Sequence, residues 1–281
     1  MSEGLRVAVA SYGPDQFALL NGVLSKLGHS PVVYFMSRSM RPNEPPEPDI
    51  LSGMTATIKE LPPGIDLLLP SSSADLQPML SGYEVDLLVV FGFNWRIPSE
   101  VLQAPRYGAL NIHPSLLPRY RGPSPIPWAV RNGDAELGLT VHRMTEKIDA
   151  GPILAQGVVG RLPEVVSPAD TWGLVRTGLP VLLERALLMV LAGAQGTAQA
   201  EESATYAGFP PPEWEEITWG RSRLDAHHQV RAFRFLHGGS GPVVEIGGHR
   251  VRVLRTSLVK QEGLVVDCAD GPLWITEYEP M

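Results

Sequence analysis

Residues 5–36 read LRVAVASYGPDQFALLNGVLSKLGHSPVVYFM, and the periodicity of this stretch changes twice. The opening LRVAVA is a short, nearly continuous apolar run, the pattern of a strand buried on both faces of a parallel sheet. Gly13, Pro14 and Asp15 break it, after which Phe17, Leu19, Leu20, Val23 and Leu27 recur at helical spacing. Gly28 follows the last of them, where a helix C-terminus favours a residue tolerant of positive φ. A second strand is expected over residues 31–36. Strand, helix and strand within about 35 residues predict a doubly wound α/β domain.

The same reading extends outward. Residues 41–49 (RPNEPPEPD) are too rich in proline for regular structure and are expected to form a surface loop. Strands are expected over residues 65–69, 85–91, 108–112 and 138–143, with a short helix near 74–80. Another helix is expected over 125–130, started by Ser124 as cap and by an early proline. Ser167-Pro168-Ala169-Asp170 is a cap, a proline at the first position and an acid in the first turn, so a longer helix should begin there. Its apolar positions are Leu174, Val175, Leu179, Leu182, Leu183, Ala186, Leu187 and Val190. Residues 193–213 carry few large apolar side chains and read as a linker. Beyond it come a helix near 225–235 and β-type segments at 243–246, 251–253, 263–268 and 273–275. Gly247-Gly248 and Asp270-Gly271 are hairpin signals between them. The expected organisation is therefore a domain over 1–195, a linker over 196–213 and a smaller β-rich domain over 214–281.

The chain has 281 residues, 44% hydrophobic and 19% charged, an ordinary globular balance. No apolar run reaches the ~18 residues of a membrane span. The N-terminus has an acidic residue before a short apolar stretch, so no secretory signal is expected. The single cysteine, Cys268, excludes an internal disulfide framework, fits a reducing cytoplasm and reads as a small packed hydrophobe. His227-His228 alone does not make a zinc site, and no metal is expected. The net charge of −7 is a poor match to a polyanion.

The chemistry concentrates in residues 108–157, GALNIHPSLLPRYRGPSPIPWAVRNGDAELGLTVHRMTEKIDAGPILAQG. Asn111 and His113 stand two apart at the end of a strand and so share a face. Carboxyl ends of strands are where open α/β sheets place their sites. Residues 114–125 then hold four prolines and a glycine together with Ser115, Arg119 and Arg121, a stiff loop suited to shaping a pocket for an anionic ligand. Histidine titrates near neutrality and can take a proton from an amine. An amide can donate to an oxyanion without ionising. Asp149, followed by Gly151, is a carboxylate able to fix the tautomer of His113. These are the parts of an acyl-transfer centre. A capping Asn beside a structural His has the same spacing, and spacing alone does not separate the two.

The run NIHPSLLPRYRGPSPIPWAV, then GDAELGLTVHRM, then IDAGPILAQ resembles the signature of the formyltransferases that use 10-formyltetrahydrofolate. The resemblance extends loosely from residue 5 to about 190. It continues more weakly into the tail through TWGRSRLDAHHQVRAF. It implies a Rossmann-like formyltransferase domain followed by a barrel-like β-rich one, with catalytic roles for Asn111, His113 and Asp149. It also implies a pterin cleft between residues 91–97 (FGFNWRI) and 147–149. Phe91, Phe93, Trp95, Arg96, Ile97 and Ile148 are thus the candidate contacts of the formyl donor, with plain packing as the other reading for the aromatics. Ser115, Arg119 and Arg121 are the candidates on the acceptor side.

Members of this family formylate methionyl-tRNA, glycinamide ribonucleotide and the amines of nucleotide-linked sugars. The members acting on tRNA carry a basic loop in the first domain. Here residues 37–49 hold two Arg against three acids, and the tail from Tyr206 has eight basic against ten acidic residues. A small amine is therefore expected as acceptor, either an amino-sugar nucleotide or a natural-product or peptide-like amine, with tRNA as the rival. Glycinamide ribonucleotide enzymes open with a Gly/Ser-rich phosphate loop where this chain has SYGPDQ. The related hydrolases carry an N-terminal regulatory domain for which no segment is evident. A non-catalytic folate or amine binder is the alternative of another class. A nicotinamide dehydrogenase is disfavoured, because no G-x-G-x-x-G follows the first strand.

Overall fold

In the computed structural model, residues 4–281 are described, and Met1–Glu3, part of the segment read for a leader, lie outside them. Seven strands form one sheet in the order β3-β2-β1-β4-β5-β6-β7. They are β1 (Arg6–Ser11), β2 (Ser30–Phe35), β3 (Asp66–Leu68), β4 (Leu87–Phe91), β5 (Ala109–His113), β6 (Glu136–Arg143) and β7 (Ile153–Arg161). Strands β1 to β5 pair in parallel and β6 turns antiparallel to β5. The order reverses between β1 and β4, the switch point at which such sheets open a crevice beyond their carboxyl ends.

Helix α1 (Pro14–Lys26) covers β1 as the period demands, burying Phe17, Leu20, Val23 and Leu24. The Phe17 ring stacks on Tyr34 at 4.3 Å, and the Tyr34 hydroxyl sits 2.7 Å from Ser11 Oγ. Each large apolar side chain buried this way contributes about 1.5–3 kcal/mol. The long helix α6 (Pro168–Leu191) starts at the expected signal. Ser167 N donates to Asp170 Oδ2 at 2.9 Å, and Asp170 N donates to Ser167 Oγ at 3.2 Å.

Three local expectations change. The loop of residues 41–49 ends early, because Pro48 is the first-turn proline of a further helix, α2 (Pro48–Glu60), which buries only Met54 and Thr57. Helix α5 (Pro125–Arg131) begins after Ser124, but the Ser124 hydroxyl makes no capping bond. Pro125 and Pro127 lack N–H groups, so the first turn has little for a cap to accept. Strand β7 was not expected. It follows β6, and Arg143 N donates to Pro152 O at 2.9 Å where the two strands meet. The remaining helices of this part are α3 (Leu76–Gly82) and α4 (Ser99–Leu102).

The chain falls into two compact units. One holds residues up to His113 with Leu139–Gly157 and Leu179–Ala204, and the other holds Pro114–Gly138, Val158–Gly178 and Thr205–Met281. The core of the first lies around Ala8, Ala10, Val33, Phe35, Leu88 and Val90. In the second, α7 (Arg223–Leu236) packs on a four-stranded antiparallel sheet of order β10-β11-β9-β8. Its strands are β8 (Val243–Ile246), β9 (His249–Ser257), β10 (Leu264–Cys268) and β11 (Gly271–Pro280). The β8–β9 turn uses Gly247 and Gly248 at φ 60° and 81°, a backbone conformation that glycine adopts without strain. Cys268 packs against this core, and burial beside Asp270 and Asp267 pushes its thiol up, away from nucleophilic use.

His227 Nδ1 lies 2.8 Å from Thr256 Oγ1, and its Nε2 lies 3.1 Å from Glu164 Oε1. His228 rests on the backbone of Gly133, where a β-carbon would meet its ring at 2.0 Å. Burial, then the neighbouring His227 and two arginines, lowers His228 from 6.5 to about 4. Between those values the unfolded chain binds the extra proton, so stability falls as pH drops from 6.5 toward 4. The loss attributable to His228 is expected to be about 1–2 kcal/mol after solvent screening. His228→Gln should therefore flatten the dependence of Tm on pH across this window, and an unchanged slope would refute the assignment. Among the described residues no helix is long and apolar enough to cross a membrane.

Candidate active site

The end of β5 carries Asn111 and His113 on one face, and the antiparallel register places His142 of β6 opposite Asn111 and Thr140 opposite His113. The loop from β6 to β7 supplies Asp149. Its backbone has φ +51°, a left-handed conformation that Asp tolerates better than most side chains. Two residues on, Gly151 passes so close to Arg143 that a β-carbon would lie 1.8 Å from its carbonyl oxygen. The IDAG sequence is thus a tight approach between two backbones as well as a turn.

These elements bring the three expected residues together. Asn111 Nδ2 donates to Asp149 Oδ1 at 3.0 Å, and His113 Nδ1 stands 3.5 Å from Asp149 Oδ2. A fourth residue joins them that the sequence reading passed over. His142 Nε2 lies 3.5 Å from Asp149 Oδ1 and 3.3 Å from Asn111 Nδ2. Its Nδ1 faces the Arg143 carbonyl at 2.9 Å. A carbonyl only accepts, so Nδ1 carries a hydrogen and Nε2 of the neutral ring is an acceptor. Both amide hydrogens of Asn111 are then turned inward, one to the carboxylate and one to His142. The side chains of His113, His142 and Asp149 are 5%, 2% and 11% exposed, so the charge of Asp149 is held in a nearly dry setting that strengthens each of these contacts. Gln156 Nε2 donates to Thr140 Oγ1 at 2.8 Å on the same strands.

The signal for His142 was present in the sequence. Thr140 and His142 alternate as polar residues among the apolar Leu137, Leu139 and Val141, and period 2 aims both at one face. Gln199 also reaches the site, donating from Nε2 to the carbonyls of Asp149 and Gly151 at 2.8 Å each. No local pattern in residues 193–213 announces that contact.

The candidate donor contacts divide by burial. Phe91, Trp95 and Ile97 are in the core, and Trp95, 4% exposed, spends its indole N–H on the Ser39 carbonyl at 2.9 Å. Phe93 is half-buried and meets Trp95 edge-on at 5.6 Å, while Ile148 is 54% exposed. Arg96 Nη2 donates to the Glu146 carbonyl at 2.9 Å, tying residues 91–97 to the segment before Asp149. Phe93 and Ile148 therefore leave apolar surface accessible, whereas Trp95 and Ile97 are packed in the core. In the other unit, Ser115 Oγ donates to Arg119 O at 2.7 Å, and Arg119 pairs with Asp134 at 3.0 Å. Arg121 joins Thr205 and Ala207 through its backbone.

The family model described as formyl transferase matches residues 69–169, which include Asn111, His113, His142 and Asp149 but not Gln199. Methionyl-tRNA formyltransferase from Pseudomonas entomophila (strain L48) is 34% identical over 224 residues, covering 73% of this chain and 69% of the relative. Among solved structures, an N-formyltransferase from Helicobacter canadensis, in complex with folinic acid and dTDP-3-aminofucose, has a TM-score of 0.67 at 15% identity, covering 98% of this chain and 100% of that one. HypX from Aquifex aeolicus in complex with tetrahydrofolic acid has a TM-score of 0.62 at 18% identity; the match covers 98% of this chain but 44% of HypX. The Rossmann-like sheet and the antiparallel tail match the fold of these proteins. The chain belongs to the formyltransferase family and is an enzyme of one-carbon formyl transfer.

Proposed function

We propose that the acceptor is the amine of a small molecule, an amino-sugar nucleotide or a natural-product or peptide-like amine. The observation that carries this reading is charge. The region of residues 37–49 and the tail from Tyr206 are each net acidic, with two basic against three acidic and eight against ten residues. A surface that tracks phosphates needs the opposite balance, because its affinity comes from cations that displace counterions. The second reading is methionyl-tRNA, favoured by the 34% identity to an enzyme of that name.

Bound, 10-formyltetrahydrofolate supplies an activated formyl carbon to the neutral amine. Phe93, Ile148 and the backbone of residues 91–97 are assigned to hold its pterin. His113, fixed by Asp149, would take the proton that the amine gives up, face the formyl oxygen as a donor while protonated, and return that proton to the donor's nitrogen as its bond to the formyl carbon breaks and tetrahydrofolate leaves. Asn111 stabilises the same oxygen when it releases one of its inward bonds. Asp149 stabilises the imidazolium and keeps its hydrogen on the correct nitrogen. In this reading residues 1–195 do the chemistry, 196–213 connect, 214–281 form the β-rich tail, and the enzyme works in the cytoplasm.

Release of tetrahydrofolate, followed with 10-formyltetrahydrofolate and a panel of dTDP-3-aminofucose, peptide-like amines and charged initiator tRNA, tests the acceptor. A small amine is expected to give the highest kcat/KM. Preference for methionyl-tRNA would overturn the reading.

A further inference from the structure

We propose that Gln199 is a positioning residue that holds the catalytic carboxylate in register. The inference rests on Asp149 being that carboxylate. Residues 196–199 follow α6 and lie along the start of β7. Ile153 and Thr197 exchange two backbone hydrogen bonds of 2.8 Å, and Gly196, at φ 91°, comes so close that a β-carbon would lie 2.7 Å from Ile153 O. The segment is therefore a fixed rung, and it sets where the Gln199 side chain starts.

From there the two hydrogens of a single Nε2 are shared between Asp149 O and Gly151 O, both at 2.8 Å. These carbonyls flank Ala150 and bracket the one turn that carries the carboxylate. Asp149 occupies the left-handed region at φ +51°, a conformation costing about 1 kcal/mol or more that persists only where its surroundings impose it. Gly151 is pinned from the other side by Arg143. Gln199 supplies the remaining constraint. Without it the loop relaxes, and the distances of 3.0 Å to Asn111 and 3.5 Å to His113 and His142 are lost together. Both of these bonds go to the backbone of the loop that carries the carboxylate, so Gln199 is assigned to act through Asp149.

Two variants separate this role from simple packing. Gln199→Glu keeps the shape but removes both donors and turns a carboxylate toward two carbonyls. Gln199→Met keeps the length without donors or charge, and serves if the first fails to fold. The deciding measurement needs no acceptor: NMR titration of the imidazole Cε1–H signals of His113 and His142 in the full chain. A carboxylate that has moved away stabilises an imidazolium less, so the His113 midpoint should drop in Gln199→Met, which adds no charge, whereas the new carboxylate of Gln199→Glu works against that drop. In turnover with the acceptor identified by the panel, kcat should fall about 10- to 100-fold with little change in KM for the donor. A His113 titration matching wild type in Gln199→Met overturns the inference. The reading beneath it is tested separately by Asp149→Asn, whose full activity would remove the catalytic role itself.

Discussion

Asp149→Asn and His113→Ala are each expected to lower kcat about 1000-fold, with Tm within a few degrees of wild type. Asn suits the left-handed backbone that Asp149 occupies at φ +51°, so this substitution removes charge without disturbing the loop. What is lost is the charge that accepts from Asn111 at 3.0 Å and faces His113 Nδ1 at 3.5 Å, the two side chains assigned to the chemistry. Each of these is oriented by the carboxylate, so the loss is cooperative and larger than that of one exposed pair. Stability should change little, because a nearly dry carboxylate carries a desolvation cost that offsets part of its bonds. The decrease should appear in kcat, since the roles proposed for these side chains lie in the transition state and not in holding the bulk of the donor. The measurement is tetrahydrofolate release under saturating donor, paired with a thermal melt. A kcat within tenfold of wild type for either variant would remove the mechanism.

How far this site could be read from sequence depends on where the information lies. Strand β1, helix α1 and strand β2 were legible because burial imposes a period, and the hairpins of the tail because Gly247-Gly248 and Asp270-Gly271 carry turn chemistry locally. Helix α2 was not. Its sequence, PDILSGMTATIKE, holds a glycine, two threonines and only two buried positions, and its first-turn proline sits at the end of a proline-rich loop. Strand β7 escaped because Gly157 and Gly160 interrupt its alternation. Within the site, Asn111, His113 and Asp149 stood out through the motifs around them. His142 is buried in a strand whose apolar character dominated its reading. Gln199 lies about 50 positions from the loop it clamps, and only the fold brings them together. The three candidate catalytic side chains sit in a recognisable motif and His142 in a strand alternation, whereas the Gln199 contact is long-range and left no local pattern.

Gly151→Ala should be the most damaging single methyl in this unit. The added carbon would fall 1.8 Å from Arg143 O and 2.9 Å from its carbonyl carbon, backbone atoms that cannot rotate away. Arg143 O is also the acceptor that fixes the tautomer of His142 at 2.9 Å, and Gly151 O is one of the two acceptors of Gln199. Pushing these backbones apart therefore misplaces Asp149, frees His142 and weakens the clamp in one step. Overpacking of this kind costs about 1–3 kcal/mol, which for a chain of this size lowers Tm by roughly 2–10 °C. Turnover should fall further than stability, about 100-fold or more, because displacement near 1 Å is enough to spoil a reactive geometry. Gly173→Ala provides the contrast. Gly173 lies within α6, and nothing stands within 4 Å of its added carbon. In a helix that change should raise stability by up to about 1 kcal/mol and leave turnover untouched. If the two variants melted and turned over alike, close approach at Gly151 would not be what shapes the loop, and the placement of Asp149 would need another cause.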